Sequence, residues 1–137
     1  EANADTNDAL CWTLLIRIGE PAVKGLEGLL KNPNSVVQAY AAYSLGQIGP
    51  PAKAAEASLK QVLMGMNAQP VFAAAVALCR IGVGETDAIA AIQRGLENTD
   101  DLVVSNAIDT IPALGKPGES LVPAALAKAS SSSPFTR

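Results

Sequence analysis

The stretch "LGQIGPPAK" at residues 45–53 joins two helical patterns through a short interruption. The helical run before it stops at Gly49, and Pro50 and Pro51 lack the backbone N–H that a continuing helix needs. An alanine-rich helical pattern then resumes. Glycine adopts the left-handed conformation that ends many helices, and proline is tolerated in the first turn of the next one. The stretch therefore predicts a tight turn between two helices.

The same helix-ending pattern recurs along the chain. An Ile–Gly or Leu–Gly pair closes a helical pattern at Gly19, Gly49, Gly82 and Gly115, so the glycines are 30, 33 and 33 residues apart. Each pair is preceded by another aliphatic residue and by a small one; the small residues are Cys11, Ala41, Ala74 and Ala107. A fixed period in the thirties with two helical patterns per unit is typical of a helical repeat protein.

The period predicts four helical pairs in one domain over residues 1–129. Within each unit we call the first helix A and the second helix B. The predicted A helices are 6–18, 36–48, 70–81 and 101–114. The predicted B helices are 21–31, 51–65, 86–97 and 118–129. The units are about 6–32, 35–66, 69–98 and 100–129, and the serine-rich segment 130–137 is predicted to be a flexible tail.

Local signals refine these helices. Two helices are preceded by residues suited to cap them, Asn34 or Ser35 in one case and Asp100 in the other. Their side-chain oxygens can accept hydrogen bonds from the unpaired backbone N–H groups of the first turn. The pair Asp100–Asp101 is accordingly interpreted as helix capping rather than as a catalytic or metal site. Pro112 lies inside the fourth A helix and is expected to bend or loosen it.

Three glycines are predicted to allow close helix packing. Gly46 belongs to a Gly-x-x-Gly pattern, but the strand and the Lys–Ser/Thr of a phosphate-binding loop are missing. We therefore interpret Gly46 as a packing position inside a helix. Gly25 and Gly28, in "GLEGLL", are predicted to serve the same purpose.

Composition limits the functions that the chain can perform. Of its 137 residues 49% are hydrophobic and only 4% aromatic, which favours helices packed through small side chains. The net charge is −3 and the pI about 4.8, which argues against binding nucleic acid by neutralising phosphates. There is no histidine, so His-based catalysis and His metal ligation are excluded. We predict no enzyme activity, no metal and no cofactor.

The two cysteines lie far apart and carry no metal or redox spacing. We predict that Cys11 and Cys79 are small buried hydrophobes, with a disulfide or a reactive thiol as the alternative.

The longest apolar stretch, residues 71–79, is too short to cross a membrane, so we predict no membrane insertion. No signal peptide is recognisable. We expect a soluble chain, either cytoplasmic or exported after removal of a signal peptide. The chain does not begin with methionine, which is expected of a processed chain or of a piece of a longer one.

Residues 39–63, "AYAAYSLGQIGPPAKAAEASLKQVL", resemble a HEAT repeat of the bilin-lyase-like type, with its A-x-x-x-L-G-x-I-G motif and proline-containing turn. The resemblance extends over about residues 6–129. It implies an all-α fold, a right-handed α-solenoid of about four HEAT-like helical hairpins. The family includes scaffolds, adaptor subunits, chromophore-lyase subunits and some enzymes, so the resemblance leaves the function open.

The chain departs from the family in one respect. HEAT units often carry an Arg early in helix A, which bonds into a ladder along the solenoid. Gln38, Val71 and Val104 occupy the positions where that Arg is expected, so the ladder is predicted to be absent or replaced by apolar contacts. The neighbouring Phe72 and Val103 either pack between units or form a contact surface for another chain.

Charged residues on the B helices are the main candidates for a binding surface. Stacked units would place them in parallel rows, on the face that in HEAT-like solenoids is usually concave. The alternative is an ordinary solvated helix face with pairs of opposite charge. With two aromatic residues, the candidate partner-binding set is Lys24, Glu27, Lys53, Glu56, Lys60, Arg94, Phe72 and Trp12.

The first helix reads "LCWTLLIRI" at residues 10–18 and is apolar almost all the way round. A helix of that kind is usually covered on all sides, so we expect a neighbouring unit or a partner subunit to cover it. Trp12 is predicted to pack in the core or between units. The C-terminal helix, with Glu119, Ser120 and Lys128, is expected to be a better cap.

These features favour a non-catalytic protein–protein interaction or scaffold module with an unidentified protein partner, as part of a larger assembly. The alternative, which rests on the family resemblance, is an accessory subunit similar to bilin lyases that holds a tetrapyrrole.

Overall fold

The computed structural model describes the backbone of residues 2–131 and the side chains of residues 9–131. These residues form eight α-helices and no strand. The helices are α1 (Ala2–Ile18), α2 (Glu20–Leu29), α3 (Ser35–Ile48), α4 (Glu56–Leu63), α5 (Ala68–Ile81), α6 (Glu85–Leu96), α7 (Asp101–Leu114) and α8 (Val122–Ser131). Two 3₁₀ segments, Pro50–Ala55 and Lys116–Leu121, precede α4 and α8.

The second and fourth B helices therefore differ from the prediction in how they begin. Each starts as a 3₁₀ segment, with an i→i+3 bond from Ala52 N–H to the Gly49 carbonyl at 2.8 Å and from Gly118 N–H to the Gly115 carbonyl at 2.9 Å. Prolines fill the first positions of both segments, and they lack the N–H groups that regular α-helical bonding uses.

The end of the chain also corrects the prediction. Helix α8 continues to Ser131, two residues into the segment 130–137 that the sequence marks as a flexible tail. Residues 132–137 lie outside the described part of the chain.

The glycines that end the A helices have positive φ angles, as predicted. Only Gly82 has the left-handed helical (αL) conformation. Gly82 has φ 85° and ψ 27°, and the Val83 and Gly82 N–H groups donate to the carbonyls of Leu78 and Cys79. The other three have ψ angles between −134° and −145°; they are Gly19, Gly49 and Gly115. This difference arises because the next helical segment follows these three glycines directly, whereas two residues follow Gly82 before α6.

The predicted caps are confirmed in two cases. The Asn34 side chain accepts from Val36 N–H, and Asp100 accepts from Leu102 N–H, each at 2.9 Å. Pro112 does not end α7, which continues to Leu114.

The A helices pack on one another in chain order, α1 on α3, α3 on α5 and α5 on α7, while α4 contacts α6 and α6 contacts α8. Most of the buried apolar side chains form one continuous core from Ala22 to Ala125. Its largest fully buried members include two sets of equivalent positions, Leu45 and Leu78 on the A helices and Leu26, Leu59 and Ile92 on the B helices, together with Leu96.

Of the three glycines predicted to allow close packing, one does so and two do not. Gly46 is a close-packing position, since a Cβ there would lie 2.9 Å from the Cα of Ala77 on α5. The prediction for Gly25 and Gly28 is wrong, because both are exposed and a Cβ at either would meet nothing within 4 Å. The close approach that the sequence did not reveal is at Gly95, where a Cβ would lie 2.7 Å from the Phe72 ring.

Candidate interaction surfaces

Helix α1 presents an uncovered apolar row. Leu10, Leu14 and Ile18 are 58%, 56% and 56% exposed, and no side chain of α1 among residues 9–18 is buried. The residues that correspond to Leu14 in the next two units are Ser44 and Ala77, which are 0% and 1% exposed. At the Leu14 position the first helix thus lacks the cover that its counterparts have, whereas Tyr40, which corresponds to Leu10, is itself 49% exposed.

Cys11 lies on this uncovered side. The prediction that it is buried is wrong: it is exposed, whereas Ala41, Ala74 and Ala107 at the corresponding positions are completely buried. Of those alanines, Ala107 lies close to Gly95 of the preceding unit, where a Cβ would be 3.0 Å from the Ala107 Cβ, and no described residue precedes α1 in that way. Cys79 is half-buried, and this burial, reinforced by the charge of Glu85, raises the pKa of its thiol to about 11.

Trp12 packs between the first two units, which is one of the two arrangements predicted for it. Its indole stacks on the ring of Tyr40, with centroids 5.6 Å apart and planes inclined by 19°. Both rings remain partly open to solvent, and Tyr40 is 49% exposed.

The B-helix charges serve largely to connect one unit to the next. Glu27 on α2 accepts a hydrogen bond of 2.7 Å from the hydroxyl of Ser58 on α4. Arg94 on α6 donates to the carbonyl of Leu63, the last residue of α4, at 2.8 Å. In both cases the partners are 31 residues apart, close to one period, which is the sequence signal that could have found them.

Lys60 makes the third connection. Its ammonium lies 2.8 Å from Glu56 on the same helix and 3.3 Å from Asp87 on α6. The hydrogen bonds to Glu56 and then to Asp87 raise the pKa of Lys60. Lys24 and Lys53 are exposed and make no ion pair with the described residues. Four of the six charged candidates therefore take part in contacts within the array.

Phe72 lies in the interior, 7% exposed, against Gly95 and near Ala107. Of its two predicted roles, packing between units is the one its position fits, and it does not contribute to an exposed surface. Val71 and Val104, at the expected arginine positions, are each 6% exposed. At the third such position Gln38 donates to the Asn32 carbonyl at 2.7 Å.

A groove of about 580 Å³ runs between α3, α5 and α7. Its lining includes Tyr43, Val76 and Ala77 together with the exposed charged side chains of Arg80 and Asp109. This lining combines apolar and charged side chains.

The C-terminal end is less polar than the sequence suggested. Leu126 is 65% and Val122 42% exposed on α8, whose only buried residue among those described is Ala125. The solvent face of α8 is therefore largely aliphatic and alanine-rich, although Glu119 and Ser120 in the preceding 3₁₀ segment are exposed.

No protein-family model matches the chain, and no curated protein matches it. Within the part that the structure describes, no three His, Cys, Asp or Glu side chains are grouped as a metal site would require. None of the described helices is both long and apolar enough to cross a membrane.

Proposed function

We propose that this chain is a non-catalytic protein–protein interaction or scaffold module, folded as a right-handed solenoid of four HEAT-like hairpins. The observation that carries the proposal is the apolar row Leu10, Leu14 and Ile18, each more than half exposed. Removing apolar surface from water contributes about 25 cal/mol per Å². A protein that covers this row therefore gains binding free energy from the contact.

Two further observations support the architecture. The A helices contact one another in chain order, as in a stack of hairpins. The side-chain connections Glu27–Ser58 and Arg94–Leu63 each join neighbouring units at nearly the same separation in sequence. In an array of this kind each unit contacts only its neighbours, and the end units need cover.

The proposal also relocates the binding surface. Because Glu27, Glu56, Lys60 and Arg94 are used inside the array, the partner surface is the open side of α1 rather than the charged rows of the B helices.

A co-purification from the native source tests the proposal with a matched pair of variants. L10E/L14E places charge in the exposed row, whereas T13E places charge on the outer side of the same helix, where Thr13 is exposed. We expect the wild-type chain and T13E to retain a protein other than the chain itself, and L10E/L14E to lose it. If no protein is retained in this pattern, the proposal is wrong.

A further inference from the structure

Three successive A helices carry almost no charge. Helices α3, α5 and α7 have 14 residues each and contain only three charged residues between them, Arg80, Asp101 and Asp109. The shorter B helices α2, α4 and α6 contain eight. The solvent side of a helix is normally rich in charged residues, so the outer side of α3, α5 and α7 differs from an ordinary solvated surface.

The residues on this outer side recur at fixed positions. On α3 they are Val36, Tyr40 and Tyr43, which follow the i, i+4, i+7 spacing of one helix face and are 45%, 49% and 51% exposed. Leu102 occupies the Val36 position on α7 and is 68% exposed. We define the outer A-helix face as these α3 positions, the positions 33 residues later on α5 and 66 residues later on α7, and Arg80, which continues the α5 row. None of these residues is buried.

The composition of this face is typical of a protein–protein interface. The centres of such interfaces are poor in lysine and glutamate and rich in tyrosine and arginine. Helices α3, α5 and α7 contain no lysine and no glutamate, and both tyrosines of the chain, Tyr40 and Tyr43, lie on the outer A-helix face.

The location of the face makes its exposure independent of the chain ends. Helix α5 contacts α3 on one side and α7 on the other. A further unit stacked before α1 or after α8 would therefore leave the outer side of α5 as it is.

Arg80 and Asp109 are the two charged residues of the outer A-helix face. Both are exposed, both line the groove between α3, α5 and α7, and neither makes an ion pair with a described residue. Their charges are opposite and lie on neighbouring helices, so the face is complementary to itself. In a two-fold arrangement the cation of each copy can meet the anion of the other, which gives two equivalent pairs.

We propose that the outer A-helix face binds the same face of a second copy of this chain in a two-fold symmetric dimer, in which Arg80 of each copy pairs with Asp109 of the other. The exposed aromatic and aliphatic side chains contribute affinity, and the two ion pairs fix the register. A different protein would need an acidic and a basic group in matching positions, whereas a second copy supplies both. The inference goes beyond the proposed function, because it involves neither the apolar row of α1 nor another protein.

Charge reversal tests the pairing. In sedimentation equilibrium the wild-type chain should show a mass that rises with concentration and levels off at two chains of 14.0 kDa. R80E and D109K should each weaken dimerisation by about 100-fold, because each creates two contacts between like charges. Both residues are exposed, so the fold tolerates the changes, and circular dichroism checks this.

K24E is the matched control. Lys24 is exposed on α2 and makes no ion pair with a described residue, and its reversal changes the net charge as much as R80E does. K24E should dimerise like the wild type. D109K controls for overall repulsion, since it brings the net charge of −3 closer to zero and should still dissociate the dimer.

Mixing R80E with D109K provides the decisive observation. In the mixed dimer the introduced glutamate meets the introduced lysine, and the remaining Asp109 meets the remaining Arg80. An equimolar mixture should therefore dimerise about as tightly as the wild type. The mixed dimer has the same total charge as the wild-type dimer, so a change in overall repulsion would not explain this recovery.

Four results would overturn the inference. A wild-type chain that is still monomeric at about 1 mM lacks the contact. A mass that grows beyond two chains would mean that unlike faces meet. A mixture that stays monomeric would show that Arg80 and Asp109 do not pair. A dimer that L14E abolishes and R80E leaves intact would place the contact on α1.

Discussion

Two buried serines show how a single hydroxyl stabilises or destabilises this fold. Ser58 is 9% exposed and donates to Glu27 of the neighbouring unit at 2.7 Å. Ser44 is completely buried, and its hydroxyl has no hydrogen-bond partner among the described residues. A buried hydroxyl without a partner loses its hydration and gains nothing in return.

Replacing each serine with alanine should therefore change stability in opposite directions. S44A should raise the free energy of unfolding by about 1 kcal/mol, and S58A should lower it by about 1 kcal/mol. Denaturant unfolding followed by circular dichroism measures both. The explanation is wrong if both variants shift the unfolding midpoint in the same direction.

At this scale the sequence predicted what neighbouring residues determine. The caps at Asn34 and Asp100 require only that a side-chain oxygen accept a hydrogen bond from the backbone N–H two residues later. The exposure of Cys11 could not be predicted in the same way, because an identical local pattern is buried wherever a preceding unit covers it. The pattern specifies the residue type, whereas the tertiary neighbour decides the exposure.

Among the helix pairs, α3 and α5 owe their close contact to one glycine. A Cβ on Gly46 would lie 2.9 Å from the Cα and 3.2 Å from the Cβ of Ala77. The obstacle is backbone, which cannot rotate away as a long side chain could, so α3 and α5 would have to move apart.

G46A should lower the free energy of unfolding by about 1–3 kcal/mol through this overpacking. G25A is the matched control, because Gly25 is exposed within α2 and a Cβ there meets nothing within 4 Å. The control should raise stability by about 0.5–1 kcal/mol, the difference in helix propensity. Chemical denaturation of dilute protein measures both, and a stabilised G46A would refute the packing argument.

The helix order followed from the period of the Ile–Gly and Leu–Gly pairs, but the start of two B helices did not. The prolines after Gly49 and Gly115 were interpreted as the first turn of α-helices, whereas they lie in 3₁₀ segments. Local composition does not decide between the two, since α2 also carries a proline in its first turn, Pro21, and is a regular α-helix.

Across the described residues, equivalent positions differ in what they contribute, because no described unit lies beyond α1 or α8. Ile18 and Ile81 occupy the same position in the first and third units, yet they are 56% and 4% exposed. The core is therefore thickest in the middle units and incomplete at α1 and α8.

This contrast predicts unequal costs for one substitution. I81A should lower the free energy of unfolding by about 2–5 kcal/mol, because it removes buried methylenes and leaves a cavity. I18A should lower it by less than about 1 kcal/mol in dilute protein. Thermal or denaturant unfolding distinguishes the two, and equal losses would show that Ile18 is covered.

The proposed interaction surface was the part of the molecule that the sequence predicted least well. The B-helix charges looked like a solvent-exposed binding row, but Lys60 and Arg94 face the adjoining units. The sequence does not show whether a charged side chain on a helix faces solvent, a ligand or the next helix. The apolar α1, by contrast, was recognisable, since too few polar residues interrupt it.

The conformation of Gly49 has a consequence for the chirality of this chain. Its φ of 78° and ψ of −145° are the mirror image of the polyproline II conformation, near −75° and +145°, that ordinary L-residues adopt freely. A D-amino acid would therefore take this backbone conformation without strain, and so would one at Gly19 or Gly115. Ribosomal synthesis supplies no D-residue, so glycine is the one achiral substitute at these three corners.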